Sequence, residues 1–214
     1  MKAFLHSWTG AFVQVVILFV LTALSPANSF WQPLIVAAVA GVLVMLSGDR
    51  VDDLGLGTPA IPASRWVAEG LLVGLLSQFI SFGLIVPGLS ALLNTPTALT
   101  HRAGDGEYLL TGVLIFGGLH ALAKGFAYRA FLLHRLAMVF GHTRAARLVS
   151  LGLAAILFGL SSAQPSLVGT LAAVIAGAVF NLVYEWTHRN VWPSLLAHSL
   201  YNITAFVLIY FGML

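Results

Sequence analysis

Residues 119–136, LHALAKGFAYRAFLLHRL, constrain this chain more than any other stretch. They set His120, Lys124, Tyr128, Arg129, His134 and Arg135 into an otherwise apolar helical run. An ionisable group in such a run is costly unless it finds a partner, a watery cavity or a route to an interface. Gly117, Ala121 and Gly125 recur every four residues and strip one face of bulk, so another helix can approach closely. His120, Lys124 and Tyr128 lie at the same spacing on a neighbouring face. The spacing predicts a helix in the middle of a bundle.

The surrounding medium follows from composition. Only 8% of residues are charged, 59% are hydrophobic and the mean hydropathy is +0.97, against about 25% charged in a soluble domain. The chain reads as an all-α integral membrane protein. With 214 residues and short loops, it is expected to form one transmembrane domain, 1–214, a polytopic bundle of about seven helices. Net charge +3 reports topology rather than nucleic acid, and the lack of cysteine excludes disulfides and thiolate metal sites.

The apolar runs are 11–24, 34–46, 66–86, 107–140, 148–162, 167–184 and 191–214. The first suits a retained helix better than a cleaved leader, although Lys2 and the small residues after Thr22 fit either. Pro87-Gly88 is expected to end the third, and Gln164-Pro165 the fifth. The fourth run exceeds one ordinary span at about 1.5 Å per residue, so it must tilt, bend near Gly117-Gly118 or protrude. The tryptophans at 8, 31, 66, 186 and 192 fall at run ends, as interfacial belts require. With a cytoplasmic N-terminus, Lys2, Arg50, Arg65, Arg135, Arg144, Arg147 and Arg189 all lie inside and Arg102 outside. That places the protein in the inner or plasma membrane of a bacterium-like cell.

His198 and Asn202 stand at i and i+4, on one helix face. They suit either interhelical hydrogen bonding or a base with an amide that binds an oxyanion or orients water. Around them the sequence resembles the CAAX prenyl protease and bacteriocin-processing (CPBP) family of intramembrane proteases. Arg129 with Ala130-Phe131-Leu132-Leu133-His134-Arg135-Leu136 is similar to the family's first motif, Glu-Glu-x-x-x-Arg and its sequel. Residues 158–163, FGLSSA, resemble the second, Phe-x-x-x-His, and His198 to Asn202 the third, His-x-x-x-Asn. Tyr184-Glu185-Trp186-Thr187, Asn190-Val191-Trp192-Pro193-Ser194 and Asp53-Leu54-Gly55-Leu56-Gly57 resemble flanking stretches, so the likeness covers about residues 50–210.

That resemblance implies an endopeptidase whose glutamates and histidines activate water, directly or through Zn. Here Lys124 and Gly125 replace the glutamate pair, and Ser162 replaces the second histidine. A lysine ammonium offers no acceptor lone pair and glycine has no side chain, while serine is a poor neutral metal ligand. The expectation is therefore a pseudoprotease without metal or other cofactor, acting as a binding or scaffolding protein that holds lipid, another membrane protein or a hydrophobic ligand, or as an accessory subunit of a membrane complex. The alternative is an active CPBP-type endopeptidase with an altered site. Lys124 is expected to snorkel to the interface, too far from Ser162 for a Ser-Lys dyad. Arg129 should pair with Glu185, a carbonyl or lipid phosphate. Asn181 and Glu185 are expected to cap the sixth helix, His120 to be a bonded interior group, and His134 and His142 to be solvated. Reporters fused after Leu214 and between His142 and Arg147 should read outside and cytoplasmic respectively; reversal at both sites would sink the topology.

Overall fold

Hydrocarbon offers backbone amides no water, which leaves the helix as the natural element. The computed structural model describes residues 1–24, 30–58, 62–95, 102–162 and 166–214. After one turn at Lys2–Leu5 come α1 (Trp8–Leu24), α2 (Gln32–Ser47), α3 (Ala63–Leu93), α4 (Gly106–Phe140), α5 (Arg144–Leu160), α6 (Leu167–Trp186) and α7 (Val191–Tyr210). Helices α3, α4, α6 and α7 are long and apolar enough to cross a membrane, whereas α1 and α2 are apolar but shorter. The expected all-α polytopic architecture is present, with spans of unequal length.

One boundary differs from the sequence reading. Helix α3 does not stop at Pro87-Gly88: a π-helical stretch, Ser81–Ile85, precedes Val86–Leu93, and Pro87 falls in the first turn of that segment. The wider turn accommodates the missing proline N–H, which would otherwise break the ladder. Gln164 and Pro165 lie outside the described residues. Helix α4 has the expected length, but π-helical segments at Gly112–His120 and Gly125–Leu132 bracket one α-helical turn, Ala121–Lys124. Its N-terminus is capped by the Asp105 carboxylate, which accepts from the Tyr108 backbone N–H at 2.9 Å; that bond holds the carboxyl below its ordinary pKa.

Helix α7 is seated between α3 and α4. A Cβ at Gly74 would stand 2.8 Å from the Ala197 carbonyl oxygen, and one at Gly70 2.9 Å from that of Pro193. On the other side Gly117 meets Ile203, and Gly125 meets Leu195. The small-residue face of α4 therefore does admit another helix, and that helix is α7. Gly112, five residues before Gly117, joins this face against the Phe206 ring, because a π-helical segment brings round positions that an α-helix would turn away.

The basic residues segregate. Arg135 is fully buried and pairs with Asp49, donating also to Ser47 Oγ at 2.9 Å, while His6 Nε2 stands 3.2 Å from Asp49 Oδ1. The Lys2 side chain lies beside Gly48. Arg147 and Arg189 line one cavity at the same end of α4. Arg102 sits at the opposite end, near Gly104, whose N–H donates to the Tyr210 carbonyl. Arg135 is thus an interior ion-pair member rather than an interfacial marker. His134 is half-buried and His142 is exposed.

Breaking a buried pair strands a charge, whereas an exposed pair contributes little. Asp49→Ala should cost about 3–5 kcal/mol in detergent unfolding. Asp52→Ala, at the exposed pair with Arg50, should cost less than about 1 kcal/mol.

Candidate functional site

The turn at 141–143 fixes the height of the central groups. Lys124 lies sixteen residues before Phe140 and Ser162 eighteen after Arg144, so both stand about 25 Å along antiparallel neighbours from that turn. Lys124 Nζ donates to Ser162 Oγ at 2.9 Å, and Ser162 Oγ donates to the Phe158 carbonyl at 2.7 Å. The expectation that these residues lie apart, with Lys124 snorkelling to an interface, is corrected. Measured from the shared turn, they are level, and Lys124 is only 6% exposed.

The Phe158 ring is the hub of this region. Lys124 Nζ is 4.9 Å from its centroid and the Arg129 guanidinium carbon 5.2 Å, while the His198 ring is 5.0 Å away. Arg129 also lies 5.1 Å from the Phe180 ring. A cation over an aromatic face is attracted by the ring quadrupole, by about 2 kcal/mol or more when desolvated. Arg129 is 0% exposed, and its Nε, Nη1 and Nη2 have no hydrogen-bond partner among the described residues. Glu185 is not its partner: that carboxylate binds Arg189 Nε at 3.0 Å. Asn181 likewise does not cap α6, because its Nδ2 crosses to the Leu151 carbonyl of α5 at 3.1 Å.

His198 and Asn202 share a face of α7, as their spacing predicts. Asn202 Nδ2 donates to the Phe116 carbonyl at 2.8 Å and lies 3.3 Å from His198 Nε2. Phe116 belongs to the first π-helical segment of α4, so this amide ties α7 to α4. Gly125 lies beside the guanidinium: a Cβ there would be 3.5 Å from Arg129 Nη1 and 3.3 Å from Leu195 Cδ1. His120 is buried between the rings of Phe30 and Phe116, with Nε2 unpartnered among the described residues. Tyr128 hydroxyl meets Thr22 Oγ1 at 2.9 Å.

Two flanking stretches singled out in the sequence also meet. Gly55 adopts φ +71 and leaves no room for a Cβ against the Arg189 carbonyl. Its own carbonyl accepts from Val191 N–H at 3.0 Å, and Leu56 O accepts from Trp192 Nε1 at 3.3 Å. The turn at 53–57 thus seats the start of α7.

An all-helical bundle with these motif positions on α4, α5 and α7 is similar to the intramembrane proteins of the CPBP family. The family model described as Rce1-like, type II CAAX prenyl endopeptidase Rce1-like, matches residues 106–204, just under half of the chain. No curated protein and no solved structure matches the chain.

Phe180 and Thr22 carried no signal in the sequence reading. Phe158 entered it only as a motif member, four residues before Ser162. A buried cation without a carboxylate costs stability that an apolar side chain of similar length does not. Lys124→Met should therefore leave the melting temperature of the delipidated protein unchanged or raise it. A fall of more than about 3 °C would show that the ammonium is needed for the fold.

Proposed function

We propose that this protein is a non-catalytic CPBP-type membrane protein. In this reading it keeps the family's bundle to hold a membrane ligand or partner, in the inner membrane of a bacterium-like cell with its N-terminus cytoplasmic. The observation that carries the reading is the composition of the core. The positions that would bear a glutamate pair present the Lys124 ammonium and a glycine, beside the Arg129 guanidinium. Two cations repel a metal ion, and neither offers a lone pair to take a proton from water while charged.

The donor set at these positions does not fit Zn. His198 is the one imidazole among them, and its Nε2 is engaged by Asn202. Zinc sites of hydrolases use about three protein ligands. The Asn202 amide is likewise occupied by the Phe116 carbonyl, which favours helix tethering over oxyanion binding.

The Lys124–Ser162 bond favours one competing reading, a serine-type endopeptidase on the same bundle. There a neutral Lys124 would accept the Ser162 proton. A membrane peptide library separates the two. The wild-type chain should yield no cleavage above a detergent blank. Restoring Lys124→Glu, Gly125→Glu and Ser162→His together should be required before any appears, because members of a catalytic unit act jointly. Cleavage by the wild type that vanishes in Ser162→Ala or in His198→Ala would replace this reading with an active enzyme.

A further inference from the structure

The chain has seven Asp and Glu side chains, and all lie in described segments. Asp49, Asp52, Glu69, Asp105 and Glu185 pair with Arg135, Arg50, Arg65, Arg102 and Arg189 respectively. Asp53 and Glu107 are exposed at helix ends and turns. None is placed to neutralise Lys124 and Arg129, so the core carries two buried cations and no anion. Aromatic faces offset part of that cost, but the guanidinium still has three nitrogens without an acceptor among the described residues.

We propose that Lys124 and Arg129 hold the carboxylate of a single-chain amphiphile of the fatty-acid class. This rests on reading the core as a binding site rather than a hydrolytic one. A planar guanidinium with free N–H groups matches a carboxylate in two-point contact, and the ammonium supplies the second charge. Gly125 leaves the Arg129 Nη1 edge without a covering side chain of its own, and Leu195 beside it is a flexible side chain that can give way. The half-buried Ser162 hydroxyl, bonded to Lys124, marks the edge from which the ammonium is reached. Depth selects among anions. A carboxylic acid crosses hydrocarbon in its protonated form and ionises beside the cations, a route closed to a phosphodiester headgroup. The apolar tail then lies in the surrounding lipid, because the Phe158 and Phe180 rings are themselves buried.

The test uses the full chain, delipidated in maltoside micelles, with oleate, oleyl alcohol and acetate as probes. Native mass spectrometry and thermal unfolding should show one oleate per chain and a rise in melting temperature of about 5 °C near saturation. Oleyl alcohol and acetate should each give less than about 1 °C, since one lacks the charge and the other the chain. Lys124→Met should weaken oleate at least about tenfold. Gly125→Glu, which places a carboxylate beside Arg129, should abolish oleate binding. Equal stabilisation by oleyl alcohol, stabilisation by acetate alone, or unchanged oleate affinity in Lys124→Met would overturn the proposal. A chain that neither cleaves peptides nor binds oleate fails here alone, whereas wild-type cleavage would sink the non-catalytic reading itself.

Discussion

Helix α7 reaches the centre of this bundle because α3 and α4 offer it glycine where they touch. At Gly70 and Gly74 backbone meets backbone, and at Gly112, Gly117 and Gly125 the side chains of Phe206, Ile203 and Leu195 fill the space that a Cβ would take. In hydrocarbon no hydrophobic force drives helices together, so such contacts are where association energy is found. His198 is buried and Asn202 reaches the Phe116 carbonyl because α7 is held this closely. The register of α7 is set at its start by the 53–57 turn, where the Gly55 carbonyl takes the Val191 N–H.

Charge in the same interior is handled in two ways. At one end, Arg135 has Asp49 and Ser47, a neutralised and hydrogen-bonded arrangement. At mid-bundle, Arg129 and Lys124 have rings and one hydroxyl. A carboxylate provides charge and acceptors together, whereas a ring supplies only a diffuse negative face. The second arrangement leaves acceptor demand unmet among the described residues, and this difference is the ground for the ligand proposed at the Phe158 region.

Much of the architecture was legible in the sequence, for physical reasons. Apolar run length and sparse charge announce spans, and small residues at helical spacing announce a close helix neighbour. The partition of basic residues between bundle ends was readable from the loops, and Arg102 does lie opposite Arg189 and Arg147. What was hidden depended on distance between segments. Lys124 and Ser162 were assigned to different depths by counting from separate span ends, although counting from the turn they share brings them level. The ion pair of Arg135 with Asp49 links a residue of α4 to the loop after α2, far apart in sequence, and no local pattern marks it. The π-helical segments of α4 were hidden too, since periodicity arguments assume the α-helical repeat.

The junction between Gly55 and the start of α7 also bears on how the chain is assembled as it is made. The turn at 53–57 is made before α3 to α6, yet the groups that occupy it, the Arg189 carbonyl and the Val191 and Trp192 N–H donors, are made after them. Until then α3 and α4 present their glycine faces with no helix to fill them. The bundle is therefore closed only once α7, which follows the six helices before it, has been made. A chain released before α7 would keep apolar helices fit for a bilayer, but it would have no centre. Quality control that senses unfilled helix faces within the membrane would meet this protein in an incomplete state until α7 is made.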